Sequence, residues 1–114
     1  MEISILIGQE LKSVAFVEDF LELRFNQPLL TLYNWPHVLL PDFSVAYGEP
    51  EYRNAICSLI HEEVSEASLE EGNALTIEFA NGIVLGLSLR EEEVDGPESG
   101  SFSESGTATD AQEF

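Results

Sequence analysis

The sequence predicts an α+β domain: two α-β-β-β repeats whose strands form a mainly antiparallel sheet, or two packed sheets, with covering helices. Three observations predict it. An uneven apolar spacing recurs at a fixed offset, an apolar stripe at helical spacing follows Pro50, and a strict alternation is closed by Asn81-Gly82.

The recurrence sets Ile3-x-x-Leu6-Ile7-x-x-x-Leu11-x-x-Val14-x-Phe16 beside Ile56-x-x-Leu59-Ile60-x-x-x-Val64-x-x-Ala67-x-Leu69, each pair 53 residues apart. It resumes at an offset of 54, with Leu21-x-Leu23-x-Phe25 beside Leu75-x-Ile77-x-Phe79. A chain that is 44% hydrophobic matches single apolar positions by accident, but an irregular spacing followed by strict alternation points to an internal repeat. The reading is one domain, residues 1–95, with pseudo-repeats at 3–34 and 50–90 joined by an aromatic loop at 35–49.

The second repeat justifies its elements in order. Pro50 suits a first helical turn, where its missing N–H costs nothing. Tyr52, Ala55, Ile56, Leu59 and Ile60 follow as one stripe on a helix of about three turns. Residues 62–70 read as a strand with an irregularity where the apolar spacing changes from three to two. Glu71-Gly72-Asn73 turns the chain. Residues 74–80 alternate, with Leu75, Ile77 and Phe79 on one face, and Asn81-Gly82 suits the positive φ of a type I′ hairpin. Residues 83–90 return with Ile83, Leu85, Leu87 and Leu89 inward. The first repeat follows with a shorter helix at Ile3–Ile7, strands near 10–18, 20–26 and 29–34, and a weaker turn at Asn26-Gln27-Pro28. Three strands alone leave one face wet, so two copies bury each other. From Gly96 onward Gly, Ser, Thr and acids dominate, a composition that predicts an acidic, flexible tail over 96–114 with Phe102 and Phe114 as possible anchors.

Size and charge bound the function. A chain of 114 residues supports an ordinary core, and one of this mass exposes about 6,200 Å² when folded. The single Cys57 forms no intramolecular disulfide, and Glu2 and Ser4 break up any leader-like run. With no long apolar stretch either, the expected location is cytoplasmic. Acids outnumber bases 22 to 4, for a net charge of −18. Eight acids lie from Glu91 onward, so residues 1–90 still carry −10. Such a field repels nucleic acid and anionic lipid and attracts basic proteins; the plainer reading is acidity for solubility.

No zinc, phosphate-cradling, dinucleotide or nucleophile-elbow motif is present, so neither an enzyme nor a cofactor or metal is expected. His61-Glu62-Glu63 reads as a helix end running into a strand, and Cys57 as structural in a field that disfavours thiolate. Tyr33, Trp35, His37 and Tyr47 are the candidate ligand- or partner-binding residues, because aromatics and an imidazole on a loop often make a recognition surface. The competing reading is a loop whose Trp35 caps the sheet. Glu62, Glu66, Glu70 and Glu91 are the candidate acidic surface for a partner.

Leu6-Ile7-Gly8-Gln9-x-Leu11-x-x-Val14 and Leu21-x-Leu23-x-Phe25, with Phe79-x-Asn81-Gly82, Ser88-Leu89-Arg90 and Gly96-Pro97-Glu98-Ser99, resemble small acidic bacterial proteins with a duplicated helix/β-meander unit. Presumed immunity proteins of bacterial toxin systems are among them. The resemblance implies a binding role and no catalytic residues. A non-catalytic interaction domain, of an immunity or inhibitor type, with a basic protein partner is therefore the first functional expectation. A self-associating structural or adaptor domain is the second, and a small-ligand binder with a pocket near residues 33–47 the third.

Overall fold

The computed structural model describes residues 2–90 and 98–114. The fold is mainly β, not α+β: two five-stranded antiparallel sheets face one shared core, and helices do not cover them. The only α-helix among the described residues is α1 (Tyr52–Cys57), six residues long, and the first repeat has a four-residue 3-10 turn, Ile3–Leu6, in its place. The stripe that predicts three helical turns fails on length. After Cys57 the bonds shorten to i→i+3, with Leu59 N–H donating to the Ile56 carbonyl and Ile60 N–H to Cys57. A 3-10 turn also places every third residue on one side, so the apolar spacing does not report how far a helix runs.

The first sheet runs β1 (Ser13–Val17), β2 (Phe20–Arg24), β3 (Leu29–Leu32), β9 (Gly100–Ser103), β10 (Gln112–Glu113). The second runs β5 (Ser44–Val45), β4 (His37–Leu39), β8 (Val84–Ser88), β7 (Ala74–Phe79), β6 (Val64–Glu70). Each sheet is thus a three-stranded meander from one half of the chain, completed by a hairpin from the other. β4–β5 leaves the first half to pair with β8, and β9–β10 leaves the second half to pair with β3.

Alternation makes the core. Leu21, Leu23, Leu30, Leu32 and Phe102 from the first sheet meet Val38, Leu75, Ile77, Phe79 and Leu85 from the second in one buried cluster. The register of β6 on β7 shifts between Val64 and Glu66, within the three-residue apolar step from Val64 to Ala67 and ahead of the change to two at Ala67. The folded surface is 6273 Å². Residues whose composition suggests a mobile tail supply β9 and β10: Phe102 is buried between the sheets, and the Phe114 carbonyl accepts the Ser99 N–H at 2.5 Å. Gly96 and Pro97 lie outside the described residues.

The halves meet along a short backbone seam. Gly8 N–H donates to the Val64 carbonyl and His61 N–H to Leu11; Val64 N–H donates to Gln9 and Leu11 N–H to Glu62. Positions 8, 9 and 11 stand 53 residues before 61, 62 and 64, so these four bonds are two pairs exchanged by a local two-fold. Glu10 and Glu63, also 53 apart, face each other at its centre. Gly8 (φ 87) and His61 (φ 78) both adopt the left-handed region that swings the chain into the seam.

Candidate functional site

The connection from β3 through β4 and β5 to α1 carries the most site-like features. Trp35 stacks on Tyr47 with centroids 4.3 Å apart and planes 10° off parallel, and its ring is also near-parallel to Phe16 of β1 at 6.3 Å. Tyr52 meets Trp35 and Tyr47 edge-on, at 6.5 and 5.6 Å. Offset stacks and edge contacts satisfy the ring quadrupoles. The Tyr52 hydroxyl donates to the Pro36 carbonyl at 2.5 Å, tying α1 to the connection. Burial, and secondarily Tyr47, push the Tyr52 phenol well above its ordinary range, so it serves as a permanent donor. Arg53 lies over the Phe16 ring at 4.9 Å. Tyr47, Gly48, Glu49, Pro50, Tyr52 and Arg53 line an open depression of about 290 Å³.

A second hollow, of about 280 Å³, lies between the β4–β5 hairpin and α1. Leu40, Phe43, Val45 and Ala55 give it an apolar floor, and Glu51, Asn54 and Ser58 complete its lining, with no basic residue among them. Phe43 is 58% exposed, Tyr47 48% and Leu39 42%; these are three of five large exposed hydrophobics among the described residues, and all three lie on this one connection.

The predicted site residues therefore divide. Trp35 and Tyr47 come together, with Phe16 and Tyr52 added by the fold. Tyr33 is elsewhere: its hydroxyl donates to Glu113 of β10 at 3.2 Å, and its N–H to the Ser99 carbonyl. His37 opens β4 opposite Gly86 and is exposed. Glu66 sits opposite Glu78 across β6 and β7, Glu70 accepts from the Asn73 amide at 3.0 Å, and half-buried Glu62 contributes its carbonyl to the seam. Glu91 lies outside the described residues. The sequence reading passed over Phe43, although a large apolar residue directly after Pro41-Asp42, at a turn, is itself a signal of an exposed anchor.

This surface offers apolar contact and carboxylates. The described residues contain no group of three or more His, Cys, Asp and Glu side chains that could hold a metal ion. Cys57 is exposed and free. No helix among the described residues is long and apolar enough to cross a membrane, which says nothing of strand-built spans. Compared with protein-family models, curated proteins and solved structures, the chain matches none.

Proposed function

We propose that this is a non-catalytic protein-interaction domain that docks a basic protein partner on the face built by the β4–β5 hairpin and α1. The observation that carries the reading is the apolar hollow under exposed Phe43, lined by an acid and no base, on a chain of net charge −18. Isolated exposed hydrophobics need no explanation, but a concentration of them on one connection marks an interaction surface. Charge selects the occupant. A second copy of the chain brings another −18 and is repelled, whereas a cationic partner is steered in and held. An apolar side chain of the partner fills the hollow, and its flanking lysines and arginines meet Glu51 of the lining and exposed Asp42, next to Phe43 in the chain. An inhibitor or immunity role, the one implied by the resemblance above, is a role of this kind. A cytoplasmic setting suits the single exposed thiol of Cys57.

Selection of a random peptide library on the immobilised protein tests this, with F43S as the counter-selection and rounds at low and high salt. The expected winners combine a large apolar residue with several Lys or Arg, bind at low salt, weaken as salt rises, and lose binding to F43S. Enrichment of neutral or acidic peptides, or equal binding to F43S, overturns the proposal.

A further inference from the structure

Each meander leaves one long strand at a sheet edge, β1 in the first sheet and β6 in the second; the opposite edges, β10 and β5, are two residues each. The offset of 53 sets Ser13, Ala15 and Val17 of β1 beside Glu66, Ser68 and Glu70 of β6, and all of these are exposed. A sheet edge presents unpaired N–H and C=O groups, and proteins guard it with charge, with a bulge or by covering it. β6 has all three: two glutamates on its exposed face, a register shift between Val64 and Glu66, and the 3-10 turn packed against it. β1 is unguarded. Its five residues are uncharged and pair with β2 in unbroken register. α1 lays Arg53 over the Phe16 ring but packs its backbone against β4.

The two-residue turn Glu18-Asp19 fixes which groups of β1 are free. Val17 and Phe20 close that turn, and a closing pair exchanges its own hydrogen bonds. Ser13, Ala15 and Val17 therefore bond to β2, while Val14 and Phe16 turn their N–H and C=O outward. Among the described residues no backbone bond from outside β2 reaches Val14 or Phe16. Backbone groups left without a protein partner face water or a binding partner. The seam bounds this free edge at one end, where His61 N–H occupies the Leu11 carbonyl, and the Glu18-Asp19 turn bounds it at the other.

We propose that β1 is a self-pairing edge: two copies of the chain join antiparallel along it, about a two-fold axis at Ala15, and merge their first sheets into one. In that register Val14 of each copy exchanges hydrogen bonds with Phe16 of the other, so the outward groups satisfy one another. Ala15 stands opposite Ala15, Ser13 opposite Val17, and Lys12 opposite Glu18 at both ends. Opposite charges facing across a sheet attract. The same pairing through β6 would set Glu66 against Glu70 and is repelled. Net charge −18 keeps two copies apart at low salt, as it does at the hairpin face. At 0.15 M salt the screening length is about 8 Å, short against a body of 37 × 32 × 25 Å. Only charges near the contact then count, and those directly opposed at β1 are complementary. β1 lies in the first sheet and the Phe43 hairpin in the second, so a second copy and a basic partner occupy different surfaces.

The test is sedimentation velocity of the full chain over a concentration series, at about 0.01 M and about 0.15 M sodium chloride. A monomer at the lower salt and a monomer–dimer equilibrium at the higher are expected, with nothing larger, because each chain has one unguarded long edge. A15E, which opposes two carboxylates on the axis, should abolish the dimer, while S68E, which adds the same charge to β6, leaves it intact. K12E should weaken the dimer roughly tenfold, and K12E/E18K, which reverses the pair, should restore it. Lys12 and Glu18 are exposed, so the reversed pair decides the outcome even where A15E fails to fold. A monomer at both salts, assemblies larger than a dimer, or equal losses in A15E and S68E overturn the proposal. So does a monomer in which A15E loses the selected basic peptides, since the edge then takes a foreign strand. F43S should dimerise as the unaltered chain does, so failure here and failure of the peptide selection are separate results.

Discussion

His61 has φ 78, a left-handed conformation that a side chain bearing Cβ adopts only under constraint. The constraint is the seam. Its N–H must reach the Leu11 carbonyl at 2.7 Å so that the chain passes directly from the shortened helix into β6. The matching position in the first half is Gly8, which adopts φ 87 without that steric cost. Non-glycine residues in this region carry about 1–3 kcal/mol of strain, whereas glycine adds about 0.5–1 kcal/mol of unfolded-chain entropy. His61→Gly should therefore raise stability by roughly 0.5–1 kcal/mol, read as a higher urea midpoint with an unchanged slope. The lost contact to Glu10 changes this little, since the imidazole is largely exposed and 3.4 Å away. His61→Val should act in the opposite direction, because a β-branched residue tolerates this conformation least. Equal midpoints for all three proteins would show that the seam does not impose the geometry.

At the scale of elements, β9 depends on Gly100. A Cβ placed there collides with the Thr31 backbone carbonyl and with the Phe114 ring. Gly100→Ala is expected to destabilise by about 1–3 kcal/mol, as overpacking does, and Phe114→Ala in the same chain should not rescue it, because the Thr31 carbonyl remains. The turn beyond β9 is set by Asp110. Its carboxyl lies below the usual range, chiefly because the Ser103 hydroxyl, 2.5 Å away, donates to it, and the Ser105 hydroxyl and N–H add to this against a desolvation penalty. A depressed folded value stabilises above the unfolded value of about 4 and loses that contribution as pH falls through the lower folded one. The urea midpoints of wild type and D110N should therefore differ at neutral pH and converge in acid. These elements also show what the sequence discloses. The β7–β8 hairpin was legible because alternation and Asn81-Gly82 are local signals, but its turn is not the expected type I′: Gly82 has φ 90 while Asn81 stays at negative φ, in a loop closed by Phe79 N–H donating to the Ile83 carbonyl. The crossing hairpins were not. β4 finds its partner β8 more than forty residues away, and β9 contains only one large apolar residue, Phe102, so hydropathy could not distinguish it from a tail. Helix length was lost for a related reason, since the chain leaves α1 early to reach residues 9–11. At the candidate site, the aromatic content of residues 35–49 was legible, but the partition was not: Tyr33 is drawn to β10, where its hydroxyl donates to Glu113, while Trp35 and Tyr47 stack on each other.

For the whole molecule, charge acts with opposite sign on folding and on binding. The described residues show Lys12–Glu10, at 2.9 Å, as an ion pair, with the His61–Glu10 contact beside it, against 22 acids in the chain. Like charges even face each other within the fold, Glu10 opposite Glu63 and Glu66 opposite Glu78. Directly opposed like charges destabilise a sheet, and a large net charge opposes compaction. The body spans 37 × 32 × 25 Å, comparable with the screening length of about 30 Å at 0.01 M salt and well above the length of about 10 Å at 0.1 M. Raising salt over that range silences repulsion between opposite ends of the molecule while little ion-pair attraction is lost. The melting temperature should accordingly rise with sodium chloride, and lysine substitution at Glu66, which faces Glu78, should raise it at low salt and flatten its dependence. Attraction to a cationic partner is screened by the same ions, so affinity for selected basic peptides should fall over the range in which the protein becomes more stable. Parallel melting and binding series measured in the same buffers check this directly. If stability and affinity rise together, recognition is dominated by the apolar hollow under Phe43, and the acidity serves another purpose, such as solubility.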